Sequence, residues 1–257
     1  MNLTRTFETL RQKNEAALIA YHMAGYPTLP DSMRVFRALA AGGADILEVG
    51  VPFSDPIADG PTIQAAGTRA LQRGSTLEAI VKAFAETRIE APRVLMSYIN
   101  PLMAYGIPRL FADLKQAGFS GLIVPDLPAE EAAGWIRTSE RYGLDMVFLV
   151  TPVSGPERIR LIVSRSRGFI YGVSVTGTTG MRSGLPRNLH AFLAQIRRLT
   201  DLPVAVGFGI STPGQVRAVC RSADGAIVGS RIVEAVRRGE NVKRLAADLK
   251  KATRVKP

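Results

Sequence analysis

Ala44-Asp45-Ile46-Leu47-Glu48-Val49-Gly50 is a short apolar run with one acid at its centre. The stretch after it, Pro52-Phe53-Ser54-Asp55-Pro56-Ile57-Ala58-Asp59-Gly60-Pro61, holds three prolines and two further acids. Strict alternation puts Ile46 and Glu48 on one face of a strand and Asp45, Leu47 and Val49 on the other. If Ile46 faces a buried interior, Glu48 is an ionisable group at the top of an apolar core, where desolvation should raise its pKa. Such a carboxyl suits both donating and accepting protons. The plainer alternative is a rim carboxylate that meets a structural arginine or water.

Seven more runs of this kind recur along the chain: Ala17 to Ala24, Arg93 to Tyr98, Gly121 to Pro125, Met146 to Val150, Phe169 to Val173, Pro203 to Gly207 and Gly225 to Val228. Between them lie segments with helical periodicity, such as Met33, Phe36, Arg37 and Leu39, or Leu110, Phe111, Leu114 and Ala117. No Ser-, Gly- or Pro-rich linker divides the chain. Eight alternating strand and helix units in 257 residues predict an α/β fold, a single (β/α)8 TIM barrel domain spanning 1–257 with an extra N-terminal helix. An open doubly wound sheet fits less well, because Gly25-Tyr26-Pro27 after the first strand is no G-x-G-x-x-G turn. Chemistry in barrels sits at the carboxyl ends of the strands.

The composition is that of a folded chain, 46% apolar and 21% charged with mean hydropathy +0.10. A lone cysteine, Cys220, the absence of an uninterrupted apolar stretch near the start, and no run of 18 apolar residues predict a cytoplasmic protein without a membrane span. His22 and His190 have no ligand-spaced neighbours, so no metal site is expected.

The net charge of +11 is local. Residues 156–200 carry +7 and residues 237–257 carry +6, leaving the rest slightly acidic. Neither basic region has interleaved aromatics or a nucleic-acid motif, so no nucleic-acid partner is expected. Val242, Leu245, Ala246 and Leu249 predict a docked terminal helix with a solvated basic face.

Asp55 reads best as a turn-making carboxylate before Pro56. Asp59 is either a turn or cap residue, or a second carboxyl facing Glu48 across a bound molecule. Glycines cluster after the last three strands, in Gly177-Thr178-Thr179-Gly180, Gly207-Phe208-Gly209-Ile210-Ser211 and Gly229-Ser230. Three such clusters at one end predict a phosphate site, with Ser230 capping a helix that begins near Arg231. Of the 33 cations only seven are lysines, none in a predicted strand or at its carboxyl end, which disfavours Schiff-base chemistry. Without a His and carboxylate cluster a metal-assisted aldolase is disfavoured too. Carboxylate proton transfer on a phosphorylated substrate, without a cofactor, is what remains.

The run Leu47-Glu48-Val49-Gly50-Val51-Pro52-Phe53-Ser54-Asp55-Pro56-Ile57-Ala58-Asp59-Gly60-Pro61-Thr62-Ile63-Gln64 closely resembles the signature of the tryptophan synthase alpha subunit family. The likeness continues through Tyr98-Ile99-Asn100-Pro101, Pro125-Asp126-Leu127-Pro128, Thr179-Gly180, Gly207-Phe208-Gly209-Ile210-Ser211 and Gly229-Ser230. It implies retro-aldol cleavage of indole-3-glycerol phosphate to indole and glyceraldehyde 3-phosphate, in tryptophan biosynthesis. It further implies an αββα tetramer with a beta subunit that carries pyridoxal phosphate, and no cofactor on this chain. By resemblance Glu48 protonates the indole C3 and takes the glycerol hydroxyl proton, while Asp59 accepts the indole N–H. Tyr21 and Tyr171 then line the substrate, Thr179 and Gly180 belong to a lid, and Gly180, Gly209, Gly229 and Ser230 surround the phosphate. Pro52, Asp55, Asn100, Asp126 and Pro128 fall in loops that meet the beta subunit in the family.

Two departures stand out. Where the family usually has a Phe, followed two residues on by Thr and then by Gly-Asp-Pro, this chain reads Tyr21-His22-Met23-Ala24-Gly25-Tyr26-Pro27. Arg231 replaces a common Ala, as a cation either supplementing the phosphate site or pointing outward. A stand-alone lyase releasing free indole and a non-catalytic scaffold that activates a beta subunit are the rival readings; intact Glu48 and Asp59 argue against the second.

Overall fold

A computed structural model describes residues 2–173, 188–207 and 209–254. Every apolar run named above contains a strand: β1 Ala17–Met23, β2 Ile46–Gly50, β3 Arg93–Met96, β4 Gly121–Ile123, β5 Asp145–Val147, β6 Leu149–Val150, β7 Ile170–Val173, β8 Val204–Gly207 and β9 Gly225–Val228. All pairings are parallel, in the order β5-β4-β3-β2-β1-β9-β8-β7-β6. β5 pairs with β4 and β6 with β7, and only Phe148 separates the two segments. They are halves of one stave, so the sheet closes into an eight-staved barrel, with the Tyr171 N–H donating to the Phe148 carbonyl at 3.1 Å across the seam.

Alternation sorts the strand residues into two cores. Outward-facing Leu18, Ala20, Leu47, Val49, Leu95 and Leu122 pack with Phe36, Phe84 and Phe111 of the surrounding helices. Inward-facing Ala17, Ile19, Ile46, Val94, Ile123, Val147, Ala205 and Ile227 fill the barrel. A parallel barrel buries both faces of every strand, which is why these runs are almost continuously apolar.

Helix Leu3–Gln12 adds Leu3, Phe7 and Leu10 to the inner core, with the Phe7 ring 5.7 Å from that of Phe169. This is the extra N-terminal helix expected from the sequence. Burying a side chain such as Phe7 contributes about 2–3 kcal/mol, and here it stoppers the amino end of the barrel. The carboxyl end is left for a site.

The terminal helix Val242–Lys251 docks through Val242, Ala246 and Leu249. Its basic face is not wholly solvated, a correction to the sequence reading. Lys250 is 8% exposed and its Nζ meets Asp45 at 2.8 Å and Glu15 at 3.1 Å. Asp45 also accepts the Leu18 N–H at 2.7 Å, so this cluster ties the end of the chain to β1. Among the described residues no helix is long and apolar enough to cross a membrane.

Candidate active site

Glu48 lies on the inner face of β2, above Ile46, and is 1% exposed. Burial is the main reason its carboxyl is pushed up to about 8, and the nearby charge of Asp59 adds to it. At neutral pH Glu48 is therefore a protonated acid. Its Oε2 is buried without a hydrogen-bond partner among the described residues.

Asp59 is carried by the stretch between β2 and helix Pro61–Gln72. The N-cap of that helix is Gly60, which has no side chain to cap with, so the Asp59 carboxyl is not spent as a helix cap. Local bonds fix its backbone: the Asp59 N–H donates to the Pro56 carbonyl at 3.1 Å, and the Asp59 carbonyl accepts from Gln64 Nε2 at 2.8 Å. The carboxyl is buried and pushed up to about 6, with a hydrogen bond from Tyr98 opposing the shift. It remains an anion at pH 7, and its buried Oδ1 has no partner among the described residues. Asp55, by contrast, is exposed and is bonded by the neighbouring Ser54 hydroxyl.

Tyr98 is the residue that sequence reasoning missed as a member of the site. Its hydroxyl accepts the Ala58 N–H at 3.1 Å and bonds Asp59, and its ring lies 5.4 Å from Phe53. It thereby holds the acidic stretch against the end of β3. Alternation along Arg93 to Tyr98 places Val94, Met96 and Tyr98 on one face, a signal that could have identified it.

Tyr21 and Tyr171 are both buried on the inner face. Burial, together with the charges of Glu48 and Asp59, keeps each phenol protonated far above the ordinary tyrosine range. Glycine makes room for both rings. A Cβ on Gly50 would stand 2.2 Å from the Tyr21 hydroxyl, and one on Gly207 2.6 Å from the Tyr171 hydroxyl. Beside them Tyr21, Met23, Ile63, Ala66 and Val233 form a small apolar cluster, joined by Tyr26 and Met96. Two carboxyls, three phenols and an apolar wall thus converge at the carboxyl end of the barrel.

β8 and β9 are neighbours, so Gly207, Gly209 and Gly229 lie on adjacent strand ends. Gly209 has φ +85°, which favours glycine. Gly229 is the N-cap of helix Ser230–Arg237, so Ser230 is its first residue and not its cap, a correction of one position. That first turn contains no acid and Gly229 brings no capping side chain, so its N–H groups can receive an anion. Arg231 pairs with Glu240 at 2.5 Å, which resolves the choice left open for it: it turns to a carboxylate of its own chain. Thr179 and Gly180, with the lid assigned to them, lie outside the described residues, as do Arg182 and Arg187 of the basic stretch 156–200.

His22 faces outward from β1. Its Nε2 meets the Tyr26 carbonyl at 3.0 Å, its ring packs edge-on to Phe36, and burial lowers its pKa to about 4. Among the described residues no three His, Cys, Asp or Glu side chains gather in a metal-holding group.

The family model described as Tryptophan synthase alpha chain matches residues 7–256. The chain belongs to the tryptophan synthase alpha chain family. The alpha chain of Geobacter sulfurreducens is 48% identical over 89% of this chain and 88% of its own length, and that of Methanosarcina mazei is 46% identical over 96% and 93%. Among solved structures, tryptophan synthase of Mycobacterium tuberculosis superposes with a TM-score of 0.93 at 39% identity, covering 98% of both chains. The Legionella pneumophila alpha subunit gives 0.89 at 33% identity, again over 98% of both. The family's reaction, cleavage of indole-3-glycerol phosphate, is that of a lyase of tryptophan biosynthesis.

Proposed function

We propose that this chain cleaves indole-3-glycerol phosphate to indole and glyceraldehyde 3-phosphate with Glu48 as proton donor and acceptor and Asp59 as the anion facing the indole nitrogen. One observation carries the reading: two buried carboxyls at one mouth are set to opposite protonation states at pH 7 by their surroundings. Neutral Glu48 gives its proton to C3, which turns the ring into an iminium-like electron sink. Ionised Asp59 accepts the N–H and offsets the positive charge that develops there. The carboxylate left on Glu48 then takes the proton of the glycerol hydroxyl next to C3. As the carbon–carbon bond breaks, its electron pair restores the aromatic indole, the hydroxyl carbon becomes the aldehyde, and Glu48 is protonated again. Every atom and electron comes from substrate and side chains, so the chain needs no cofactor of its own.

Tyr21, Tyr171 and the cluster around Met23 and Ile63 would hold the indole. Gly209, Gly229, Ser230 and the open helix start would hold the phosphate, joined by Gly180, with Thr179 contributing to closure over the site. Exposed Ile57, Met103 and Val153 follow β2, β3 and β6 at this same end, and exposed apolar side chains next to a site favour a protein partner. A beta subunit carrying pyridoxal phosphate, in an αββα complex in the cytoplasm, is the partner that fits.

The test is indole release by the purified chain from indole-3-glycerol phosphate, alone and with a beta subunit. Release that rises on mixing, together with a larger complex mass, is the expected result. No release under either condition would refute the activity, and fast release without any complex would refute the partner.

A further inference from the structure

Tyr21 and Glu48 are register partners on neighbouring strands and both face inward. The Tyr21 ring leans toward the carboxyl end across β2, with Oη and Cζ 2.2 and 2.6 Å from the point a Gly50 Cβ would occupy. The phenol oxygen therefore lies over the strand that carries Glu48, two residues beyond it, on the substrate side. Gly229 confines the ring from the other flank, where a Cβ would be 3.2 Å from Cδ1. Tyr21 is only 4% exposed, and Glu48 Oε2 is buried without a partner. A buried hydroxyl on the wall of an indole pocket would weaken binding if it met only the ring, so it needs an acceptor within the site.

We propose that Tyr21 is a positioning residue whose hydroxyl donates to the Glu48 carboxylate after the proton has passed to the substrate. The inference rests on Glu48 being the proton donor. The groups facing Glu48 are Tyr21 from β1, Asp59 from the stretch after β2 and Tyr171 from β7, with Tyr98 from the end of β3 behind Asp59. Tyr98 already serves Asp59 and Ala58. Tyr21 stays protonated throughout the working range, so it remains a donor whenever Glu48 ionises. A hydrogen bond to the charged form favours that form, so Tyr21 lowers the proton affinity that burial has raised. It brings Glu48 closer to giving and taking a proton with equal ease.

Tyr21→Phe removes one oxygen and keeps the ring between Gly50 and Gly229. The Glu48 carboxyl is titrated by carbon-13 NMR in labelled protein, its resonance identified by loss in Glu48→Gln, and the alkaline limb of kcat/KM is followed in parallel. Both midpoints should rise by about one pH unit in Tyr21→Phe, as expected for loss of a hydrogen bond to a charged acceptor. Midpoints that are unchanged, or that fall, would overturn the proposal. A rise in the NMR midpoint of a protein that makes no indole would uphold the Tyr21 contact and defeat the proposed reaction.

Discussion

Glu48 keeps its proton because burial takes away the water that would stabilise a carboxylate, and the nearby charge of Asp59 adds to the effect. That has a linkage consequence. A folded-state pKa of about 8, against an ordinary value of 4.5, means that folding is favoured below the unfolded pKa and loses stability as pH rises toward 8. Glu48→Gln should therefore be more stable than the parent at pH 9, by on the order of 2–4 kcal/mol, and the gap should close below pH 5; denaturant midpoints at the two pH values check this. The rate should follow a bell, with activity lost below about 6 as Asp59 is protonated and above about 8 as Glu48 ionises. The alkaline limb is the cleaner one, because a phosphate ester itself titrates near 6. A profile still rising at pH 9 would contradict the assignment of Glu48 as the acid.

At the scale of elements, strand alternation made most of the site legible. A single carboxyl on the Ile46 face of β2 pointed to the barrel mouth, and the inner core includes Ile46 as that reading required. Tyr98 was harder to recognise, because its role depends on the fold of the stretch it braces. The glycines at 50 and 207 read as the end of the second strand and as part of a phosphate-binding cluster, whereas both open space for a tyrosine from the neighbouring strand. Gly50→Ala should push Tyr21 off its position and lower kcat/KM at least tenfold with the barrel still folded, and Gly207→Ala should act likewise through Tyr171. Circular dichroism and indole release measured on the same samples separate the two effects. Lys250 escaped notice for a related reason: helical spacing marks it as a polar-face residue, but its long side chain reaches back to Asp45 and Glu15. Lys250→Ala takes the cation from half-buried Asp45, which keeps the Leu18 N–H, while Glu15 retains Arg254 at 3.2 Å, and should cost about 1.5–3 kcal/mol in thermal or denaturant unfolding.

For the molecule as a whole, the net charge of +11 does not translate into one basic surface. Within the basic stretch 156–200, Arg158 pairs with Glu130, Arg167 with Glu140 and Arg197 with Asp224, so part of its charge is already neutralised. A basic stretch can steer a phosphate ester toward a site, but here the remaining pull is modest, and kcat/KM should fall only a few-fold from low to physiological salt. The barrel closes its amino end with an N-terminal helix and leaves acid, anion and glycine-lined strand ends together at the other, so the proposed reaction turns on the single proton of Glu48. Single-turnover cleavage of indole-3-glycerol phosphate by Glu48→Gln, with substrate binding measured by calorimetry on the same protein, tests it most directly. Binding within a few-fold of the parent and cleavage slowed by about 10²- to 10⁴-fold are expected; cleavage at the parent rate by a variant that still binds would show that Glu48 is not the proton donor.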